Sequence, residues 1–230
     1  MISSSSQQRS LQWFRSRMGF FTGSRVADLM KSSRQKDEPF SATAYAYIYQ
    51  VAAERIFNPD FLDDDDIFQD YIEHTSVTTR AMQWGIDMEP QAKSLYASLL
   101  PDGAALEEVA SCRHDSIPFF AASPDAIVRG DGAPRCLEVK CPKLDTHMLY
   151  ADRIADAESL KAVRPEYYWQ VMAEMACTET QSADFVSYCP WLTHPLHVAR
   201  IQRSDADIAL LEERVRLAND AINRINKKNN

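Results

Sequence analysis

Two apolar segments joined by a glycine-rich turn constrain the fold of this chain more than any other feature of its sequence. The first segment, 119–128, contains Ser-Pro-Asp at 123–125, and the second, 135–141, contains Leu-Glu-Val-Lys at 137–140. The turn between them, 129–134, reads Arg-Gly-Asp-Gly-Ala-Pro, and Asp-Gly is a favoured two-residue connection between antiparallel strands. The pattern predicts a β-hairpin that carries charged side chains on otherwise apolar strands.

The expected turn also predicts which side chains face each other. If Asp131 and Gly132 form the loop, Asp125 lies directly opposite Glu138, whereas a longer loop, which Pro134 would favour, changes this register. Opposed side chains have Cβ atoms roughly 4.5–5.5 Å apart, and two like charges there are destabilising. A divalent cation between them reverses the sign of that interaction, because hard cations bind carboxylate oxygens.

A lysine completes this charged group. Lys140 follows Glu138 at the spacing that puts both side chains on one face of a strand. Two carboxylates and a lysine on neighbouring strands are an arrangement that holds divalent metal and cuts phosphodiester bonds. Each motif alone is common on strands without a catalytic role, so the prediction depends on their combination in one apolar hairpin.

Composition fits one domain and leaves nucleic-acid binding open. The chain has 230 residues, 45% of them hydrophobic, which suits a single nuclease domain over 1–230 with a flexible polar arm at 1–10. The formal charge of −8 by itself counts against a nucleic-acid partner. That objection is weak for a metal nuclease, because metal neutralises its active-site carboxylates and only local basic patches need contact phosphate.

The sequence also indicates a compartment. Its five cysteines are odd in number and widely spread, so they predict no disulfide framework and favour a reducing environment. The N-terminus lacks the apolar stretch of a signal peptide, and nowhere do ~18 apolar residues run together. We expect a protein of the cytoplasm, without a membrane partner.

Hydrophobic periodicity predicts a mixed α/β (α+β) domain, with helices around a mixed central sheet. Helices are expected at 11–18, 22–30, 41–56, 76–99, 165–177 and 205–226, and strands at 106–112, 119–128, 135–141, 183–189 and 196–201. Segment 58–70 contains four consecutive aspartates, Asp63 to Asp66, and is interpreted as a solvated loop. A metal or basic-partner site at these aspartates is the alternative.

The hairpin motifs resemble the signature of the lambda-exonuclease (YqaJ-like viral recombinase) family, within the PD-(D/E)XK restriction-endonuclease-like nucleases. Three further blocks are similar to that family and occur in its order: Trp13 to Gly19 running into Thr22-Gly23-Ser24, Trp84 to Glu89, and Tyr168 to Val171. Matching blocks spread over roughly 13–190 are far more specific than an isolated acidic motif. The resemblance implies a restriction-endonuclease-like core.

The resemblance also implies metal ligands. Asp125 and Glu138 are expected to bind Mg²⁺, as a pair of ions in each site, with Mn²⁺ as a substitute. The carbonyl of Val139 adds a neutral ligand. Glu89 arrives from a helix to complete the second metal shell, although Pro90, directly after it, constrains its backbone and is expected to kink the helix. A surface glutamate is the alternative for Glu89.

Two further residues are expected to act beside the metal. Lys140 holds or activates the attacking water and stabilises negative charge in the transition state. Gln170, in the block after the catalytic strands, hydrogen-bonds the site or the scissile strand. The alternative for Gln170 is an ordinary glutamine on a helix face.

The N-terminal block indicates the direction in which the DNA strand is digested. Arg17 offers a planar fork suited to phosphate, and Ser24 lies near a helix start, where free amides attract anions. In the family, the matching arginine and serine grip the 5′-phosphate of the degraded strand. A surface arginine and an ordinary N-cap are the alternatives. Trp13 is interpreted as a core anchor rather than a base-stacking residue.

Together these features predict a metal-dependent 5′-to-3′ exonuclease acting on double-stranded DNA ends. Its products are mononucleotides and a 3′-overhanging strand for phage-type recombination by single-strand annealing. The resemblance further implies a single-strand annealing protein as partner and a homotrimeric ring around DNA.

Other functions remain open. An endonuclease would cut covalently closed circles. A RecB-like or Cas4-like repair nuclease is disfavoured, because Cys177 and Cys189 are too isolated for an iron–sulfur cluster and Glu174 stands where RecB-type enzymes often have tyrosine. A catalytically silent DNA-end-binding subunit is the non-enzymatic alternative, and relatives of that kind generally lose a metal ligand or the lysine.

Overall fold

Helices dominate the first half of the chain in the computed structural model, which describes residues 8–75 and 78–229. They are α1 (Leu11–Arg17), a 3₁₀ turn (Gly23–Arg25), α2 (Ala27–Met30), α3 (Ala42–Arg55), α4 (Pro59–Asp63), α5 (Asp65–Thr75) and α6 (Arg80–Ser98). The first strand, β1 (Phe21–Thr22), lies between α1 and the 3₁₀ turn. The predicted start of α6 at Ser76 lies outside the described residues, and Thr79 caps the helix instead.

In the second half a run of strands comes first, and helices, two further strands and a last helix follow. The strands are β2 (Ala105–Glu107), β3 (Cys112–Arg113), β4 (Phe120–Ala122), β5 (Ala126–Arg129), β6 (Arg135–Lys140), β7 (Ser182–Tyr188) and β8 (Leu196–Gln202). The helices are α7 (Leu144–Arg153), α8 (Ala157–Val163), α9 (Pro165–Thr178) and α10 (Asp205–Asn229). No helix in the described ranges is long and apolar enough to cross a membrane.

The strands form two sheets. The larger is mixed, with order β2-β5-β6-β7-β8, in which only β6 and β7 run parallel. Because parallel neighbours need a long crossover, the chain passes through α7, α8 and α9 between β6 and β7. The smaller sheet has order β1-β4-β3. This mixed α/β architecture confirms the predicted fold class.

The predicted hairpin register is confirmed. Ala126 pairs with Leu137 in the β5–β6 ladder, which places Asp125 level with Glu138 at the end of the pairing. The backbone N–H of Asp125 donates to the carbonyl of Leu137 at 3.0 Å and extends the ladder to this point. The two carboxylates therefore leave neighbouring strands at the same level.

Each face of the large sheet is covered by one helix near the hairpin. Ala92 and Tyr96 of α6 pack with Leu137 and Val139 on one face. Glu138, which alternates with them, points to the other face, where its carboxylate meets Gln170 of α9. Burial of α9 between the sheets fixes its position relative to the hairpin.

A glycine allows the 3₁₀ turn to approach this core. A Cβ at Gly23 would lie 3.1 Å from the Cβ of Ala122 and 3.6 Å from that of Ala173. The absent side chain thus lets the turn pack directly on β4 and α9. As a consequence, Ser24 reaches the edge of the cleft described below.

Segment 119–128 was expected to be one strand, and this expectation is wrong. The segment forms β4 and β5, which belong to different sheets. Ser-Pro-Asp at 123–125 separates them, because proline lacks the N–H that a continuous ladder requires. The motif therefore lies at the junction of the two sheets and not within a strand.

The loop interpretation of 58–70 is also wrong, because the segment forms α4 and most of α5. Asn58 caps α4 through its side chain, with Pro59 in the first turn. The Oδ1 of Asp64 accepts hydrogen bonds from the backbone N–H groups of Asp66 and Ile67, which starts α5. Aspartate favours helix starts for this reason. The four aspartates are nevertheless exposed, as expected.

Pro90 is expected to kink helix α6. The helix continues through Pro90 without a break.

Part of the predicted N-terminal arm, residues 1–7, lies outside the described residues. At its end, the Nε2 of Gln8 donates to the carbonyls of Val109 at 3.3 Å and Pro124 at 3.1 Å. The chain is therefore held against the sheet junction from Gln8 onwards.

Candidate active site

An open cleft of about 1020 Å³ lies where the hairpin, α6, α9 and the N-terminal elements meet. Its wall includes every predicted site residue, although they come from five separate parts of the chain. These residues are Arg17, Ser24, Glu89, Asp125, Glu138, Val139, Lys140 and Gln170. The fold thus brings the complete predicted set to one surface.

Glu138 lies at the centre of the cleft and is only 2% exposed. Its Oε1 accepts a hydrogen bond from the Nε2 of Gln170 at 2.6 Å and another from the ammonium of Lys140. Its Oε2 is buried and has no hydrogen-bond partner among the described residues. A buried carboxylate oxygen without a partner is costly, so this atom is available to a cation or a water molecule.

Lys140 is held by carboxylates and an aromatic ring. Burial lowers the pKa of its ammonium, but the charges of Glu138 and Asp125 outweigh burial and raise this pKa above its usual value. The Nζ atom lies 4.6 Å from the ring centroid of Tyr167 and 3.4 Å from the Oε1 of Gln170. Lys140 is therefore a fixed positive charge at the pH of ordinary assays.

Asp125 faces the same centre from the sheet junction. Its Oδ2 accepts the backbone N–H of Val139 at 2.7 Å, which fixes the orientation of the carboxylate. Burial, followed by the nearby charges of Glu138 and Glu89, raises the pKa of Asp125 well above its usual value. In the metal-free protein these carboxylates oppose one another's ionisation.

The structure adds Glu174, which the sequence analysis did not identify as a site residue. Glu174 lies one helical turn after Gln170 on α9, and its Oε1 accepts the Nε2 of Gln170 at 3.1 Å. It is 1% exposed, and its Oε2 has no partner within the described ranges. Burial and then Glu138 raise its pKa well above the usual value. The available signal was a carboxylate within an otherwise apolar helix.

Glu89 reaches the cleft from α6 but is engaged by two cations. Its Oε2 lies 3.1 Å from Arg9 and its Oε1 lies 2.9 Å from Lys93. Burial raises the pKa of Glu89, but the two cations together lower it by more than burial raises it. The pKa of Glu89 therefore lies below its usual value. Among the described residues, no three histidine, cysteine, aspartate or glutamate side chains already converge as a metal cage.

The donor set nevertheless fits a hard divalent cation. Asp125 and Glu138 supply carboxylate oxygens at the same level of the hairpin, and the Oε2 of Glu138 has no partner among the described residues that would compete with a cation. Oxygen ligands of this kind suit Mg²⁺ and Mn²⁺. A bound cation would also offset the burial and the repulsion that raise the pKa of Asp125.

Arg17 also lines the cleft. Its Nη1 donates to the Oγ of Ser123 at 2.6 Å, and its guanidinium lies 4.0 Å from the ring centroid of Trp13. Burial lowers the pKa of Arg17 to about 10. The neighbouring Ser24 is exposed to the cleft. The contacts of Arg17 thus leave a cation facing the cleft with a hydroxyl rather than a carboxylate as its hydrogen-bond partner.

The positions of Trp13 and Ser123 differ from expectation. Trp13, interpreted as a core anchor, is half-buried in the cleft wall beneath Arg17. Ser123 was seen only as part of the Ser-Pro-Asp motif, yet it joins Arg17 to the loop that carries Asp125. The phosphate-binding candidate and the metal-binding candidate are therefore linked through one hydroxyl group.

Comparison with known proteins assigns the chain to a family. The YqaJ-like viral recombinase domain matches residues 12–181. An alkaline exonuclease (LHK-Exo) from Laribacter hongkongensis has a similar structure, with 31% identity, a TM-score of 0.70 and coverage of 95% of this chain and 97% of that one. The same protein in complex with dAMP gives 30% identity, a TM-score of 0.70 and the same coverage.

A more distant structure has the same fold. A phage-related exonuclease from Haemophilus somnus 129PT matches with a TM-score of 0.66 at 14% identity, over 92% of this chain and 96% of that one. No curated protein sequence matches significantly. On the match over residues 12–181, the chain belongs to the YqaJ-like viral recombinase family.

Proposed function

We propose that this protein is a Mg²⁺-dependent nuclease that degrades double-stranded DNA from its ends, in the 5′-to-3′ direction. The observation that carries the proposal is the group of buried carboxylates around Lys140, in which the Oε2 of Glu138 has no partner in the described chain. Membership of the YqaJ-like family and the likeness to an alkaline exonuclease over nearly the whole chain support a nuclease that acts on DNA.

The metal would be held by Asp125 and Glu138, with the carbonyl of Val139 and the carboxylate of Glu89 as further ligands. The pair of ions expected for each site would lower the pKa of bound water and neutralise the leaving oxygen. Glu89 can contribute only if its contacts with Arg9 and Lys93 rearrange.

The protein's own groups position and stabilise the reacting phosphate. Lys140 presents its ammonium beside Glu138 and stabilises negative charge that develops in the transition state. Gln170 donates to Glu138 and accepts from Lys140, so it fixes both groups in one geometry. Such preorganisation lowers the cost of reorganisation during the reaction.

The proposed direction of digestion depends on two N-terminal residues that line the cleft. Arg17 and Ser24 are proposed to bind the 5′-terminal phosphate of the strand that is degraded, because a guanidinium and a hydroxyl both bond phosphate oxygens. The link from Arg17 through Ser123 to the Asp125 loop supports a defined spacing between the phosphate-binding and metal-binding groups. The products would be mononucleotides and a 3′-overhanging strand.

The biological setting follows from the family. We propose a role in phage-type recombination, with transfer of the 3′-overhanging strand to a single-strand annealing protein. A homotrimeric ring in the cytoplasm of a bacterium or phage-infected host is the assembly proposed with it. Gel filtration with light scattering would measure the oligomeric state directly.

The test is digestion of a linear duplex in Mg²⁺, with 5′-phosphate and 5′-hydroxyl ends compared and a covalently closed circle as control. We expect rapid loss of the 5′-phosphorylated strand, slow loss with 5′-hydroxyl, no cutting of the circle and no reaction in a chelator. Arg17→Gln should abolish the preference for 5′-phosphate. Arg216→Gln, which alters an exposed arginine of α10 paired with Glu212, is the matched control.

The outcomes separate the alternatives. Cutting of the circle would move the protein to the endonucleases while the metal site stands. A preference for 5′-phosphate that survives Arg17→Gln would remove Arg17 from the end-binding group. Binding of DNA ends without digestion in either Mg²⁺ or Mn²⁺ would favour the non-enzymatic subunit.

A further inference from the structure

Two stacked indole rings lie at the mouth of the cleft, apart from the catalytic residues. Trp84 is on α6 and Trp191 is in the loop between β7 and β8, and both line the cleft. Their ring centroids are 6.0 Å apart and their planes differ by 17°. Trp191 is nevertheless 72% exposed, so the face of its ring that is turned away from Trp84 meets solvent.

Positive charge also lines this cleft. Arg80, in the first turn of α6, and Lys143, just before α7, line the cleft, and both are exposed. Within the described part of the chain neither forms an ion pair with a carboxylate, although the protein carries a formal charge of −8. Cations beside an exposed aromatic face are the combination that binds single-stranded nucleic acid, through phosphates and bases respectively.

The distance along α6 between the indoles and the catalytic residues can be compared with the spacing of nucleotides in a strand. Trp84 and Glu89 are five residues apart on α6. At about 1.5 Å per residue, this spacing is ~7.5 Å along the helix axis. That length is close to the rise of about two stacked nucleotides, at roughly 3.4 Å each. A strand whose phosphate lies near Glu89 can therefore bring a base to the indoles within a few nucleotides.

We propose that Trp191, supported from behind by Trp84, stacks on an unpaired nucleobase of the DNA strand that enters the catalytic cleft. The base must be unpaired, because the faces of bases inside a duplex are covered by their neighbours. Arg80 and Lys143, which line the same cleft, bind phosphates of that strand. This role rests on the proposed nuclease function and adds a base-dependent contact near the reacting phosphate.

A purely structural role for the indole pair makes a different prediction. If Trp191 only anchors the β7–β8 loop, its truncation lowers thermal stability and weakens every DNA ligand equally. If it stacks on a base, truncation weakens only ligands that carry a base at that position. The ratio of affinities for base-bearing and abasic DNA therefore distinguishes the two roles, independently of any effect on folding.

The experiment measures binding by fluorescence anisotropy, with Ca²⁺ in place of Mg²⁺ to limit digestion. The probe is a labelled duplex with a short unpaired 5′ end of thymidines, compared with the same duplex whose unpaired positions are abasic. Variants are Trp191→Ala, Trp191→Phe and, as control, Phe61→Ala, which removes a 48% exposed aromatic side chain outside the cleft. Digestion of a linear duplex in Mg²⁺ is measured in parallel.

Wild type is expected to prefer the base-bearing probe by about 5- to 150-fold, the range that corresponds to stacking of one base. Trp191→Ala should abolish this preference, while Trp191→Phe and Phe61→Ala retain it. An equal preference in wild type and Trp191→Ala, or none in wild type, overturns the stacking role even if digestion is normal. A Trp191-dependent preference without digestion keeps the stacking role and overturns the nuclease.

Discussion

Two buried carboxylates on neighbouring strands of the large sheet have opposite surroundings. Asp184 on β7 is 1% exposed, and Glu138 on β6 is 2% exposed. Asp184 accepts hydrogen bonds from Arg135 at 2.7 Å, from Arg200 and from the hydroxyl of Tyr96. Both of its oxygens have donors, whereas the Oε2 of Glu138 has none among the described residues.

The charges around the two carboxylates also differ. Two arginines surround Asp184, and one of them also binds Asp131 at 2.6 Å, so positive and negative charges balance. Around Glu138, two more carboxylates with raised pKa values lie close by. A buried charge with all its donors stabilises one conformation, whereas a buried group with excess negative charge is prepared for a cation. The contrast distinguishes a carboxylate with a structural role from one that is proposed to bind metal within the same sheet.

The largest effect is expected when the functional carboxylate is changed. Glu138→Gln should reduce digestion by about 10²–10³-fold or more, because it removes the proposed metal ligand and the charge that holds Lys140. The metal-free fold should lose less stability than with a change at Asp184, because Asp125 can still balance the charge of Lys140. Digestion rates and thermal melting in a chelator measure both effects, with the exposed Glu213→Gln as control. A loss of stability equal to that of an Asp184 variant would remove the distinction.

The structural carboxylate should show the reverse pattern. Asp184→Asn leaves Arg135 and Arg200 without their partner and is expected to lower the free energy of unfolding by about 3–5 kcal/mol. Urea denaturation in a chelator measures this change. Digestion per folded molecule at low temperature should remain near wild type. A normal unfolding free energy would show that this network contributes no net stability.

The response to pH should also separate the two regions. The pKa values of Asp125 and Glu174 are raised in the folded state. At a pH above the usual pKa of a carboxylate, the metal-free folded state therefore binds more protons than the unfolded state. Its free energy of unfolding should therefore fall as pH rises through the raised values. Mg²⁺ should restore stability most strongly at alkaline pH, because it competes with these protons.

Thermal melting from about pH 5 to about pH 9, in chelator and in Mg²⁺, measures this response. The gap between the two melting curves should widen with pH. A gap that stays constant would show that the carboxylates do not release protons when the metal binds.

A smaller effect is expected at the residue missed by the sequence analysis. Glu174→Gln keeps an acceptor for Gln170 but removes one buried negative charge. Melting in chelator should then depend less on pH, and digestion should fall by less than about tenfold, because Glu174 acts through Gln170. If Glu174→Gln abolished digestion as completely as Glu138→Gln, Glu174 would be a metal ligand and not a positioning residue.

The smallest effect is expected at the N-terminal ion pair. Arg9 is 45% exposed and contacts Glu89, so the pair contributes less than about 1 kcal/mol. Arg9→Ala should release Glu89 and tighten Mg²⁺ binding by less than about fivefold. Isothermal titration calorimetry measures the affinity, and weaker binding would show that Arg9 supports the metal site.

Local sequence patterns accounted for much of the fold. The Asp-Gly turn predicted the register that places Asp125 level with Glu138, because hairpin geometry depends on a few adjacent residues. Helices α9 and α10 were also predicted within a few residues, since their apolar periodicity is strong. Segment 58–70 was misread, because a run of aspartates resembles a solvated loop even where one of them caps a helix.

Contacts between distant parts of the chain were not predictable from local patterns. The hydrogen bond from Gln170 to Glu138 depends on how α9 crosses the sheet, and the stacking of Trp84 on Trp191 depends on a loop more than a hundred residues away. The engagement of Glu89 by Arg9 likewise joins residues far apart in sequence. These contacts follow from packing of the whole core.

The sequence by itself determined the chemistry of the candidate site: which carboxylates, which lysine and which arginine are present, and the hairpin that pairs two of the carboxylates. Only the tertiary structure decided which buried charges have all their donors and which do not. The physical reason is that the sequence specifies which ionisable groups are present. Their burial and their hydrogen-bond partners depend on elements that meet only in the folded core.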